Sequence, residues 1–173
     1  SSSNLEHFVS THADLLAADA CIWEYGGVDF NDQQVQHLGL RGISYVELRV
    51  RTANQDVHSG LGGSIFPNAA WRLVWALQSL KGPDEHIRID GFYDDVKPVP
   101  ERSRQLMAAL PDPSEEYKQR YNLKGFIKGL TGGIELRIEE VFTPTCTICG
   151  LTSGYQGEGS KTVLPAEASA KID

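Results

Sequence analysis

The chain has 173 residues, 40% apolar and 23% charged, the make-up of one ordinary globular domain with at most short appendages. Its formal net charge of −7 excludes a general affinity for nucleic acid, which draws on clustered Lys and Arg. No apolar run approaches the roughly 18 residues of a membrane span, and the opening SSSNLEHFVSTHADLL lacks the basic start and apolar stretch of a signal peptide.

Residues 4–18 predict an amphipathic helix, with Leu5, Phe8, Val9, His12, Leu15 and Leu16 at helical spacing. Ala20 to Trp23 form a short apolar run ending at Glu24, read as a buried strand, and residues 25–38 read as a loop. Residues 41–53 alternate. Ile43, Tyr45, Glu47 and Arg49 take one face, and Ser44, Val46, Leu48 and Val50 the other. That pattern fits an antiparallel strand packed on one side. A Gly-rich loop, NQDVHSGLGGS, follows. The next helix runs from Pro67 or Asn68 to Leu80, capped by Asn68 and stopped by Gly82-Pro83.

HIRID (86–90) predicts a short strand, and residues 99–123 hold helical patterns broken at 111–113. Residues 133–142 fit both periods. Ile134, Leu136 and Ile138 suit a strand, Ile134, Ile138 and Val141 a helix, and helix is the reading adopted. TPTCTICGL (143–151) reads as a strand, residues 154–162 as a turn-rich loop and VLPAEASAKID (163–173) as a final strand. Helices and strands mix without a regular βαβ rhythm. The expected class is α+β, an antiparallel sheet with helices on one face.

Asp56, His58 and Ser59 lie together in DVHSGLGG. Sequence neighbours rarely converge as a nucleophilic triad. The glycines after them read as a flexible, side-chain-poor loop that lets backbone approach a ligand. From the residues alone, His58 is either a functional loop histidine or a surface-turn residue. Glu24 is either a metal ligand at a strand end or a solvated carboxylate. Cys146-Thr-Ile-Cys149 has the spacing of a redox or zinc knuckle, but no second pair follows. Structural thiols are the preferred reading, and an odd, low cysteine count fits a reducing compartment. GEGSKT (157–162) lacks phosphate-loop spacing and precedes a strand rather than a helix. The acidic pairs Glu115-Glu116 and Glu139-Glu140 read as solvated helix faces.

Taken together, four segments resemble the lid domain of the zinc amidohydrolase and metallopeptidase family, which includes carnosinase-like dipeptidases, carboxypeptidase G and succinyl-diaminopimelate desuccinylase. They are Arg41-Gly42 before a strand, DVHSGLGG after it, GFYDD (91–95) after the helix, and KTVLPA (161–166) before the last strand. The pattern is most similar to the carnosinase-like branch. The resemblance implies a dinuclear zinc enzyme for amide or peptide hydrolysis, with a lid that pairs with a second lid in a homodimer. It implies that His58 reaches into the partner's active site as an oxyanion-stabilising catalytic residue. Thr162 would contact substrate, and Glu24 would bind metal.

The family's other metal ligands and its Glu-Glu pair are absent from the sequence. The resemblance therefore implies a piece of a larger enzyme. Residues 1–38 would be a remnant of the α/β catalytic domain, and 39–173 a lid/dimerisation domain truncated at its C-terminus. Two zinc ions are expected in the full-length parent, none as a pair on this chain, which alone should be inactive. Further expectations are a cytoplasmic location and no nucleic-acid or membrane partner. The alternative is a free-standing dimerisation module without chemistry.

Overall fold

Apolar spacing sets the first elements, α1 (Leu5–Thr11) and α2 (Ala13–Leu16). The single helix expected here is interrupted at His12, whose φ of −118° leaves the helical range while its N–H still closes on the Phe8 carbonyl. The computed structural model describes residues 4–22, 26–29 and 31–173. Residues 20–22 form no strand, contrary to expectation, and Trp23 and Glu24 lie outside the described residues. The expected loop contains a small antiparallel hairpin, β1 (Gly27–Val28) and β2 (Gln34–Val35). Asp29 shapes its turn, with Oδ1 accepting the Asn31 and Gln33 N–H groups, each at 2.9 Å.

Residues 1–40 and 41–173 form separate compact units. The second begins with β3 (Val46–Arg51), β4 (Val57–His58) and the one-turn helix α3 (Ser59–Gly62). Next comes α4 (Ala69–Leu80), capped by the Asn68 side chain, which accepts the Trp71 N–H at 3.2 Å. The strand expected at 86–90 reduces to one bridge, Lys81 to Ile87. Helices α5 (Glu101–Ala108), α6 (Ser114–Tyr121) and α7 (Gly133–Phe142) follow. The ambiguous segment at 133–142 is thus helical. It packs on α5, where Arg104 meets Glu135, and on Tyr117, whose hydroxyl donates to Glu140 at 2.8 Å. The last elements are β5 (Ile148–Ser153), β6 (Val163–Leu164) and β7 (Glu167–Ile172).

The main sheet is antiparallel, in the order β3–β7–β5, so the fold is α+β. Its register puts Leu48 opposite Ala170, and Leu151 opposite the same alanine on the far side. Helix α4 lies over β3 and β7. The core between them is Ala69, Leu73, Ala168, Ala170 and Ile172, with Leu48, Val50, Leu77 and Leu80 packed around it. Ala69 and Ala170 are both 0% exposed. Their methyl groups let helix and sheet approach closely where larger side chains would hold them apart.

The strand expected over 163–173 is two strands. The chain leaves β6 at Leu164, passes Pro165 and Ala166, and enters β7 in a different sheet. Proline has no N–H for a ladder, which favours a break there. Cys146 is half-buried against the core, and Cys149 is exposed at the bulge between Ile148 and Gly150. No helix among the described residues is long and apolar enough to cross a membrane.

Candidate functional site

The site is built where two short segments meet. β4 and β6 pair antiparallel over two residues, Val57 with Leu164 and His58 with Val163. Further bonds bracket this ladder. On one side the Ser59 N–H donates to the Thr162 carbonyl at 3.1 Å. On the other, the Ala166 N–H donates to Asp56 Oδ1 at 2.8 Å, and the Ala166 carbonyl accepts the Thr52 N–H at 2.8 Å. The neighbouring Pro165 carbonyl accepts the Ala69 N–H at 3.3 Å, tying the junction to the first turn of α4.

The run after His58 is not a flexible loop. Ser59 to Gly62 make one helical turn, closed by the Gly63 N–H donating to the Ser59 carbonyl at 2.8 Å. Close contact explains its glycines. A Cβ on Gly60 would stand 2.9 Å from the His58 ring, and one on Gly62 would stand 2.4 Å from the Phe66 ring. A Cβ on Gly63 would lie 2.5 Å from the Ser59 carbonyl oxygen.

That turn fixes the His58 ring. Its Nδ1 accepts the Gly60 N–H at 2.9 Å, so the proton of the neutral imidazole is assigned to Nε2. Nε2 lies 3.2 Å from Thr162 Oγ1, and in this tautomer the ring donates to the hydroxyl. The hydroxyl proton is then available to a further acceptor. The Thr162 O–H is thus the free donor at an exposed edge, and the Nε2–H stands beside it, placed to exchange the hydroxyl for an oxygen that gains negative charge.

The structure therefore brings together His58 and Thr162, which are 104 residues apart in sequence. Glu24 lies outside the described residues. Among the described residues, no group of three or more His, Cys, Asp or Glu side chains could hold a metal ion. Sequence reasoning passed over Asp56 once a triad was rejected. The available signal was its place two residues before His58 on an extended segment.

A family model described as a peptidase dimerisation domain matches residues 38–173. The human Beta-Ala-His dipeptidase is 31% identical over 134 residues, covering 78% of this chain and 26% of that protein. A Cys-Gly metallodipeptidase of Candida albicans is 28% identical over 134 residues, covering 78% of this chain and 27% of the relative. Among solved structures, an M20 family metallo-carboxypeptidase from Sulfolobus solfataricus superposes with a TM-score of 0.90 at 31% identity, covering 99% of this chain and 44% of that one. The chain spans about a quarter of the length of these curated relatives.

Proposed function

The chain belongs to the peptidase dimerisation-domain family, and on that premise we propose that it is the dimerising lid of a metal-dependent peptidase that hydrolyses dipeptides or similar amides. The observation that carries this reading is the His58–Thr162 pair, an imidazole held in the Nε2–H tautomer beside a hydroxyl. His58, entering the partner subunit's active site, gives up its bond to Thr162 Oγ1 and donates from Nε2 to the carbonyl oxygen as negative charge develops there. Thr162 rotates its hydroxyl to orient the same substrate. Such a donor acts most strongly where water is excluded, which a closing lid provides.

The described residues do not make a metal centre. The two zinc ions implied by the resemblance, with Glu24 as one ligand, belong to the proposal for the complete protein. A cytoplasmic setting is part of the same reading, supported by three cysteines that are all unpaired thiols.

The test is hydrolysis of β-Ala-His and Cys-Gly by the complete protein. Activity should disappear with a chelator and return with zinc. The 173-residue chain alone should hydrolyse neither peptide and retain no zinc pair after dialysis. A folded, zinc-loaded complete protein without activity on any dipeptide overturns the reading.

The partner in the homodimer is a second copy of this domain. Both edges of the main sheet are open among the described residues. β3 carries Glu47, Arg49 and Arg51, charges of the kind that keep an edge from pairing. β5, ICGLTS, carries none. It leaves Ile148 and Leu151 half-exposed on the face that bears α4, and α4 adds exposed Trp71, Val74 and Trp75. An uncharged edge flanked by apolar side chains suits self-complementary pairing across a two-fold axis. Sedimentation should show a dimer at micromolar concentration. Leu151→Lys should shift it to monomer with the circular dichroism unchanged, whereas a dimer that tolerates the lysine excludes β5 as the contact.

A further inference from the structure

Asp56 is a carboxylate to which the mechanism gives no role, and its place is specific. Oδ1 accepts the N–H of Ala166 at 2.8 Å. Ala166 is itself buried and marks the point where the chain passes from β6 to β7. A two-residue ladder is marginal by itself. Here it is fastened beyond both ends, by Ser59 to Thr162 on one side and Asp56 to Ala166 on the other. The bond from a buried N–H to a carboxylate is of the stronger, charge-assisted kind. Its far end is anchored in turn, because the Ala166 carbonyl accepts both the Thr52 N–H at 2.8 Å and the Thr52 hydroxyl at 3.3 Å.

We propose that Asp56 is a positioning residue: by clasping the Ala166 N–H it holds the 56–58 segment in register with 162–166, and so fixes the His58 ring against Thr162. This rests on His58 being the oxyanion donor. The action passes through the backbone. Neither imidazole nitrogen is paired with Asp56: Nδ1 accepts from Gly60, and Nε2 faces Thr162. The requirement is an acceptor oxygen at the Oδ1 position, not a negative charge beside the ring. The order of substitutions follows. Asp56→Asn keeps an oxygen in place and drops the charge, whereas Asp56→Glu keeps the charge and shifts the oxygen by a methylene.

The test compares these two variants in the complete peptidase. Asp56→Asn should stay within about 2-fold of the parent kcat, since the acceptor survives. Asp56→Glu should lose about 10- to 100-fold in kcat with KM little changed, the usual scale for a misplaced catalytic group. The opposite order, Glu active and Asn impaired, would make Asp56 an electrostatic partner and overturn the proposal. So would equal activity of both variants.

A second readout needs no catalysis. In the 173-residue chain, nitrogen-15 shifts of His58 should report the Nε2–H tautomer in the parent and in Asp56→Asn. In Asp56→Glu they should move toward an averaged, mobile ring. An unmoved ring overturns the proposal even if kcat falls. If instead His58→Ala leaves the enzyme fully active, the donor role fails, and the ring signal still decides whether Asp56 positions His58.

Discussion

In the complete peptidase, His58→Ala is expected to lower kcat by about 100-fold or more, with zinc content and dimerisation intact. That is about 2.7 kcal/mol of transition-state stabilisation, the scale of one oxyanion donor. The loss should fall on kcat rather than KM, because the charge that Nε2–H meets develops mainly in the transition state. The side chain is exposed and hydrogen-bonds to Gly60 and Thr162, so truncation leaves no core cavity to confuse the result. A mixing experiment separates action within a subunit from action across the dimer. Combining His58→Ala with a variant of the complete enzyme's Glu-Glu pair, one member of which the family resemblance implies is the general base, should restore one working site in each mixed dimer. Confirmed subunit exchange with no recovered activity would rule out the trans role.

The largest expected loss of stability is at Leu73. Its side chain is 1% exposed and packs among Ala69, Ala168, Ala170 and Ile172. The alanines around it have no longer side chain to swing into a vacated space. Leu73→Ala should therefore leave a true cavity and cost about 3 kcal/mol, lowering Tm by about 10 °C. Leu73→Met keeps the volume and should cost under about 1.5 kcal/mol. Urea denaturation of both variants checks this. A loss below about 1 kcal/mol for the alanine variant would mean that helix and sheet close over the gap.

The parts of the fold legible in the sequence were those with a long, single-period pattern. Val46, Leu48 and Val50 alternate cleanly, and β3 forms there with Leu48 and Val50 on the core. α4 has its apolar stripe, its Asn68 cap and a Gly-Pro stop, and runs as read. What was not legible depends on contacts distant in the chain. Ser59 to Gly62 has poor helix propensity, and its turn exists because Phe66 and the Ser59 carbonyl pack where side chains would otherwise be. The segment at 86–90 looked like a strand, but its pairing is one bridge at Ile87, closed by Gly82 to His86 and by Arg88 to Leu80, and it does not extend into a ladder. At the site, DVHSGLGG and KTVLPA were readable as motifs. That His58 meets Thr162, and that Asp56 reaches Ala166 rather than the ring, are pairings 104 and 110 residues apart. No local pattern encodes them.

The switch of sheets at Pro165 and Ala166 gives the domain two levels of opening. β7 is the middle strand of the main sheet, paired on both sides and covered by α4, so its amides should be among the last in the unit to exchange with solvent. β6 is a separate two-residue pairing, joined to β7 through a residue whose own carbonyl stays bound to Thr52. Parting β4 from β6 would break two ladder pairs together with the bonds of Thr162 to Ser59 and His58, and would reach only as far as Ala166. Hydrogen exchange should therefore divide at Ala166, with the amides of β6 lost to solvent before those of β7.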